Sequence, residues 1–150
     1  MGQEWSWREH GYPEEGFSVE FNGMVDVRRM PVGGAKSPVV RGTRYVQAER
    51  TQVYTVAASL NRFGVNLSEG AQRSFAGLEC GQKLIEHEVD APWGPALELR
   101  GSRCVDGSFN VVARYHRSGR WFYQVLALFK DKGGDEASAR YFLDSFRVMR

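Results

Sequence analysis

Two segments of this chain are apolar on both faces of a β-strand, and this feature restricts the possible folds more than any other. The first is TQVYTVAASL, residues 51–60, and the second is WFYQVLALF, residues 121–129. A half-exposed strand alternates apolar and polar side chains, whereas a strand buried on both faces loses that alternation. Both segments therefore predict central strands of a sheet that is covered on both sides.

Alternating segments predict the other strands of this sheet. In GFSVEF the side chains of Phe17, Val19 and Phe21 face the same way, with Ser18 and Glu20 on the other face. Turn residues such as Asp106-Gly107 and Ser118-Gly119 join consecutive strands as hairpins, which makes the sheet antiparallel. The other predicted strands are VVRGTRYVQAER, KLIEHEV, PALELRGSRC and SFNVVARYHRS.

Two segments have the period of a helix instead. In the first, Asn66 and Glu69 form a capping-box pattern, and Gly81 is placed to end the helix. In the second, Asp135 is the expected N-cap. The apolar stripes are Leu67, Ala71, Phe75 and Leu78 in the first helix, and Ala139, Phe142, Leu143 and Phe146 in the second.

Length and pattern together predict one α+β domain over residues 1–150. The chain has 150 residues, which suits a single domain. We expect an antiparallel sheet of about six to seven strands covered by helices, an α/β/α sandwich. Residues 1–15 form an aromatic segment with Trp5, Trp7 and Tyr12, which we expect to pack on the sheet rather than expose three rings.

The only two cysteines are Cys80 and Cys104. Their spacing fits neither a redox pair nor a zinc site, both of which need closely spaced cysteines or added histidines. The remaining alternatives are a disulfide between them and two buried free thiols.

Motifs for catalysis and for metal binding are missing from the sequence. It has no Gly-x-Ser-x-Gly nucleophile turn, and Cys80 lies at a helix end where thiolate activation is not favoured. His10, His87 and His116 are scattered, without the helical spacing of a zinc enzyme. We therefore predict no catalytic residues, no metal and no cofactor.

Arginines interleaved with aromatic residues are the best candidates for a binding surface. We predict surface contacts at Arg114, His116, Arg117, Arg120, Tyr45 and Trp121. Such a surface on a sheet can bind single-stranded nucleic acid, but the net charge is only +2 and the RNA-recognition aromatic motif is absent. A protein partner or a small ligand is the favoured occupant.

The chain has no apolar run of about 18 residues, and thus no predicted transmembrane helix. Its start, MGQEWSWREH, lacks a basic region followed by an apolar stretch. Two interpretations remain open, namely a cytoplasmic protein and an exported protein whose signal peptide was replaced by Met-Gly.

Four segments, in order along nearly the whole chain, resemble small exported bacterial proteins of the PsbP-like fold. They are GFSVEFNG, YTVAAS, RWFYQVLAL and YFLDSF. Each is a packing motif. One departure is Asn22, which stands where many relatives have proline in a Phe-Pro-Gly turn; both versions form a turn.

The resemblance implies an α+β fold and a non-enzymatic binding, adaptor or chaperone-like role at the bacterial cell envelope, periplasmic or secreted. The family offers no catalytic residues to carry over. Two alternative functions are an enzyme, such as a hydrolase, with an unrecognised pocket and a nucleic-acid-binding module. We expect a monomer or a homodimer.

Overall fold

A computed structural model describes residues 6–34 and 37–149. This part of the chain forms ten strands and two helices. The helices are α1 (Leu67–Ala76) and α2 (Glu136–Ser145). The strands are β1 (Arg8–Tyr12), β2 (Phe17–Phe21), β3 (Asp26–Arg29), β4 (Val39–Ala48), β5 (Gln52–Asn61), β6 (Gln82–Ala91), β7 (Gly94–Cys104), β8 (Phe109–Ser118), β9 (Trp121–Phe129) and β10 (Arg147–Val148).

Seven strands form one antiparallel sheet in the order β3-β4-β5-β9-β8-β7-β6. The two doubly apolar segments, β5 and β9, pair with each other over residues 52–60 and 121–129 and lie inside the sheet. Val56 and Val125 lie opposite each other and are fully buried. The predicted antiparallel sheet with covered central strands is confirmed.

The structure corrects the composition of this sheet. The segment GFSVEF was expected in it, but as β2 it lies between β1 and β10 in a separate three-stranded sheet. Its Phe17, Val19 and Phe21 side chains are buried in the core that covers one face of the large sheet. The place of the seventh strand is taken by β3, which has no apolar alternation because all four of its residues are exposed.

A separate hydrophobic core covers each face of the large sheet. On one face, Tyr123 and Val125 of β9 pack with Phe142 of α2 and with the small sheet. On the opposite face, Phe122 and Leu126 of the same strand pack with α1. Alternate residues of a strand point to opposite faces, so β9 contributes to both cores. The predicted α/β/α sandwich is confirmed, with the small sheet added to the α2 layer.

Both helices begin at the predicted caps. The Asn66 side chain accepts a hydrogen bond from the Glu69 N–H at 3.0 Å, and the Asp135 carboxylate accepts one from the Ala137 N–H at 2.9 Å. The predicted end of α1 at Gly81 is wrong. The helix ends at Ala76 with Gly77 as its C-cap, whose N–H already bonds back to the Ser74 carbonyl oxygen.

A disulfide joins Cys80, just beyond α1, to Cys104 at the end of β7. It decides between the two alternatives that the sequence left open. Gly101 lies against the bond, since a Cβ at this position would be 2.8 Å from the Cys80 Sγ and 3.0 Å from the Phe75 ring. The close approach of β7 to α1 at this point therefore requires glycine.

Part of the aromatic N-terminal segment packs as expected. The Trp7 ring lies 5.5 Å from the Tyr54 ring and 4.6 Å from the Tyr141 ring. Tyr12 packs against Tyr45 at 4.0 Å between ring centroids. Trp5 lies outside the described residues, so the packing of the whole segment 1–15 and the single-domain assignment of residues 1–150 stay predictions. Neither helix of the described chain is long and apolar enough to span a membrane.

Candidate functional site

Arg114 and His116, two of the predicted contact residues, lie on the α2 face of β8. The Arg114 side chain is only 14% exposed, with its Nε donating to Glu98 at 2.8 Å and its Nη1 to Asp144 at 2.6 Å. Its hydrogen-bonding capacity is therefore largely used within the fold.

His116 is not a surface residue, being 3% exposed. Its ring stacks on Phe146, and its Nδ1 accepts a hydrogen bond from the Trp93 indole N–H at 3.1 Å. Burial, with a smaller effect of the Arg114 charge, lowers its pKa to about 3. At neutral pH the imidazole is thus neutral, with its proton on Nε2.

The other candidates on β8 and β9 point elsewhere. Arg117 lies on the α1 face, where its Nη1 donates to the Val65 carbonyl oxygen at 3.0 Å. Arg120 is exposed in the turn between the two strands. Trp121 is half-buried, with its ring stacked 6.1 Å from that of Tyr123. The predicted residues therefore do not form one continuous basic and aromatic surface.

The charged side chains on the α2 face gather around Glu98, which the sequence did not identify as a candidate site residue. It is 1% exposed, and its carboxylate accepts hydrogen bonds from Arg100 and Arg114, and from Arg140 of α2. His87 Nε2 lies 3.7 Å from it. We call these five residues the Glu98 cluster. Three guanidinium groups surround one carboxylate, so the cluster holds α2 to β7 and β8.

Tyr45 lies far from this cluster and is also buried, at 4% exposure. Its hydroxyl donates to the Glu15 Oε1 at 2.8 Å. Burial first, and then this hydrogen bond, raise the pKa of the phenol, so Tyr45 stays protonated. The structure does not place Tyr45 on the surface, but the residue belongs to the wall of a groove.

This groove, which we call the Glu15 groove, lies between β3, β4 and the turn that joins β1 to β2. Its volume is about 460 Å³, within the range of ligand sites. Valines on its rim are exposed, with 60% exposure for Val27, 42% for Val32 and 43% for Val40. Its lining residues are Glu14, Glu15, Val27, Arg29, Met30, Val32, Val40, Arg41, Gly42, Thr43 and Tyr45.

Glu15 forms the polar part of the groove. Its backbone is held in place, because its carbonyl oxygen accepts the Tyr123 hydroxyl at 2.7 Å and its N–H donates to the Tyr12 carbonyl oxygen at 3.0 Å. The side chain is 6% exposed. Oε1 accepts the Tyr45 hydroxyl, whereas Oε2 is buried and has no hydrogen-bond partner among the described residues. A donor that reached this oxygen would supply the hydrogen bond that it lacks.

The neighbouring Arg41 does not donate a hydrogen bond to the Glu15 carboxylate. Arg41 Nη2 lies 3.9 Å from the Glu15 Oε1 and 3.4 Å from the Glu14 Oε2. The contact with Glu14 is a long hydrogen bond, whereas the contact with Glu15 is an ion pair beyond hydrogen-bond distance. No sequence signal pointed to this site, because Glu14 and Glu15 stand in a polar turn and β3 shows no strand pattern.

The described residues hold no group of three or more His, Cys, Asp or Glu side chains arranged to bind a metal ion. The titratable groups with large pKa shifts, Tyr45, Tyr115 and His116, are shifted mainly by burial. Tyr115 lies in the core on the α1 face, away from both Tyr45 and the groove.

Comparison with solved structures identifies the architecture. The chain superposes on the solution structure of cyanobacterial PsbP (CyanoP) from Synechocystis sp. PCC 6803 with a TM-score of 0.64. The match covers 97% of this chain and 94% of the cyanobacterial one. The fold is PsbP-like. The sequences are 11% identical, so the likeness concerns this PsbP-like fold alone.

Sequence comparisons add nothing to this assignment. No family model matches the chain, and no curated protein matches it. The PsbP-like fold predicted from four packing motifs is confirmed by the structural match.

Proposed function

We propose that this chain is a non-enzymatic binding domain that acts outside the cytoplasm, at the cell envelope, and binds its partner in the Glu15 groove. The observation that carries the proposal is the buried Glu15 Oε2, which lacks a hydrogen-bond partner and lies below a rim of exposed valines. An unsatisfied buried acceptor costs about 1–3 kcal/mol, and a bound donor removes that cost.

The rim of the groove supports binding of a partner with apolar groups. Val27, Val32 and Val40 surround one cavity and retain 42–60% of their exposure. Covering these side chains removes apolar surface from water, which favours association. A cluster of exposed apolar side chains beside a polar group is typical of interaction sites.

The disulfide supports a location outside the cytoplasm. Disulfides persist in oxidising compartments and are rare in the reducing cytoplasm. The Cys80–Cys104 bond joins two segments that are 24 residues apart.

The state of the titratable groups supports binding rather than catalysis. A general base is most useful with a pKa near the working pH. The pKa of Tyr45 is raised and that of His116 is lowered to about 3, so neither group exchanges protons readily near neutrality. The arginines of β8 are bound within the fold and face opposite sides of the sheet, which disfavours nucleic acid as the partner.

The proposal is tested by site-specific photo-crosslinking in the native cells. A benzophenone amino acid replaces Val27 or Val40 in the groove. The control position is Phe63, which is 72% exposed and does not line the groove. We expect one discrete adduct from both groove positions, absent at the control position, in the periplasmic or secreted fraction. Equal adducts at all three positions, or none at the groove positions, would overturn the binding site.

The compartment is tested separately by alkylating the protein in intact cells without a reductant. We expect Cys80 and Cys104 to resist alkylation until a reductant is added. Alkylation of both cysteines, together with a cytoplasmic location of the protein, would overturn export.

A further inference from the structure

We propose that the occupant of the Glu15 groove is an extended peptide segment, added as a new strand on the outer edge of β3, with a lysine or arginine side chain that reaches Glu15. This inference rests on the proposed function and specifies the partner of the same site.

The free edge of β3 provides the backbone groups. β3 is the outermost strand of the seven-stranded sheet beside β4. The Met30 N–H donates to the Gly42 carbonyl oxygen at 2.9 Å, so this pair is hydrogen-bonded across the two strands. In an antiparallel ladder such pairs alternate with non-bonded ones. The backbone N–H and C=O groups of Val27 and Arg29 therefore point outward, where an added strand can pair with them.

The register of β3 directs the added side chains into the groove. Val27 lies opposite Tyr45 and Arg29 opposite Thr43, so both β3 side chains are on the face of the sheet that carries Tyr45. Peptide residues paired with Val27 and Arg29 project from this same face. The peptide thus presents every second side chain over the groove.

Distance selects a long side chain. An added strand lies two strand spacings, roughly 10 Å, from β4, which carries the Tyr45 partner of Glu15. Lysine and arginine have long apolar stems that lie along apolar surface while the charged end reaches a polar group. The exposed Val27 on β3 offers such a surface.

Charge selects a donor for the position near Glu15. The Glu15 Oε2 lacks a donor, because Arg41, the cation of this groove, lies 3.9 Å from the other oxygen and is hydrogen-bonded to the exposed Glu14. An ammonium or guanidinium group donates a charge-assisted hydrogen bond to a carboxylate, whereas an acidic side chain would be repelled. Arg29 lies on the same face, so an acidic residue two positions from the lysine would pair with it. In an antiparallel addition the motif is Glu-x-Lys.

A second copy of this chain is a weaker candidate for the same edge. β3 has only four residues, and two such edges bury far less than the roughly 1,200 Å² of a stable interface. A peptide can use both the edge and the adjacent groove.

The test is an NMR titration of the isotope-labelled protein with the peptide Thr-Thr-Glu-Thr-Lys-Thr-Thr, whose two termini are chemically blocked. We expect chemical-shift changes and slower exchange at the Val27 and Arg29 amides. Replacing the peptide lysine with norleucine should weaken binding at least about tenfold. In a Glu15→Gln variant the same replacement should change the affinity less than about twofold. A Glu14→Gln variant serves as the matched control and should retain the lysine dependence.

Two further measurements keep the inference falsifiable if Glu15→Gln does not fold. A peptide N-methylated at the two residues that pair with β3 should not bind, since it lacks the required donors. Equal binding of the N-methylated peptide, or equal affinity of the norleucine peptide for the wild-type protein, would overturn the inference. A dimer in light scattering whose Val27 and Arg29 amides are protected without peptide would identify a second copy as the occupant and also overturn it. In each case, crosslinking at Val27 and Val40 would leave the proposed function intact.

Discussion

Glu98 is a residue whose environment contradicts its place in the sequence pattern. It alternates with Leu97 and Leu99, so the pattern PALELRGSRC puts it on the polar face of a strand. In the fold that face is covered by α2, and Glu98 is buried among three arginines. The alternation correctly separates the two faces, but it does not reveal that both are covered at this point.

Removal of the Glu98 charge should be costly. We expect Glu98→Gln to lower the free energy of unfolding by about 3 kcal/mol, because Arg114, which is 14% exposed, loses its buried counter-charge. Glu88→Gln on the exposed part of β6 is the control and should cost less than about 0.5 kcal/mol. Urea denaturation measures both values. A loss below about 1 kcal/mol for Glu98→Gln would show that the cluster does not stabilise the fold.

His116 should make stability depend on pH. Its pKa is about 3 when folded against 6.5 for an ordinary histidine. As the pH falls, the unfolded chain therefore binds the proton before the folded one does. The contribution of neutral His116 to stability, complete above pH 6.5, is lost as the pH falls toward 3.

Between pH 6.5 and 4.5 this loss amounts to about 2 kcal/mol. A His116→Asn variant retains an acceptor for the Trp93 N–H and should not show this part of the pH dependence, as measured by urea denaturation across that range. Phe63→Ala, at a position 72% exposed and without a titratable group, is the control and should show the pH dependence of the wild type. Identical pH profiles for the wild type and His116→Asn would contradict the assignment.

At the scale of elements, the local sequence pattern predicts whether a segment is a strand, but it does not predict which sheet the strand joins. GFSVEF was predicted as a strand and is one, β2, but it belongs to the small sheet because its three apolar side chains cover the large sheet instead of extending it. β3 was missed because an exposed edge strand needs no apolar alternation. The caps of α1 and α2 were found because they depend on neighbouring residues only.

The disulfide ties the segment after α1 to the end of β7, and its removal should destabilise this connection. The cysteines are 24 residues apart, so a Cys80→Ala, Cys104→Ala double variant should lose about 3 kcal/mol through the greater entropy of its unfolded chain. Thermal and urea unfolding, with and without a reductant, measure this loss. The reductant should affect only the wild-type protein, and an unchanged urea midpoint in the double variant would refute the prediction.

At the scale of the whole molecule, the order of the strands determines how stability is distributed. β5 and β9 are paired inside the sheet and contribute to the two cores, whereas β3 is an exposed edge. Opening free energies are highest in central strands and lowest at poorly packed edges.

Hydrogen exchange measured by NMR should follow this order. We expect the amides of Val56 and Val125 to exchange at least about 100-fold more slowly than those of Val27 and Arg29 in the free protein. The Val46 amide of β4, the neighbour of β3, is an internal reference and should lie between these limits. Protection of Val27 equal to that of Val125 would mean that the β3 edge is already covered.

The sequence by itself determined the N-caps of both helices, the strands β2 and β4 to β9, the antiparallel pairing by hairpins and the need for cover on both faces of the sheet. These properties depend on side-chain period, turns and caps within about ten residues of one another. The tertiary structure alone decided that β2 leaves the large sheet, that Cys80 bonds Cys104, and that Tyr45, Glu98 and His116 are buried. It also brought Glu15 beside β4 to form the groove. These outcomes depend on which distant surfaces pack together, and side-chain period does not encode that choice.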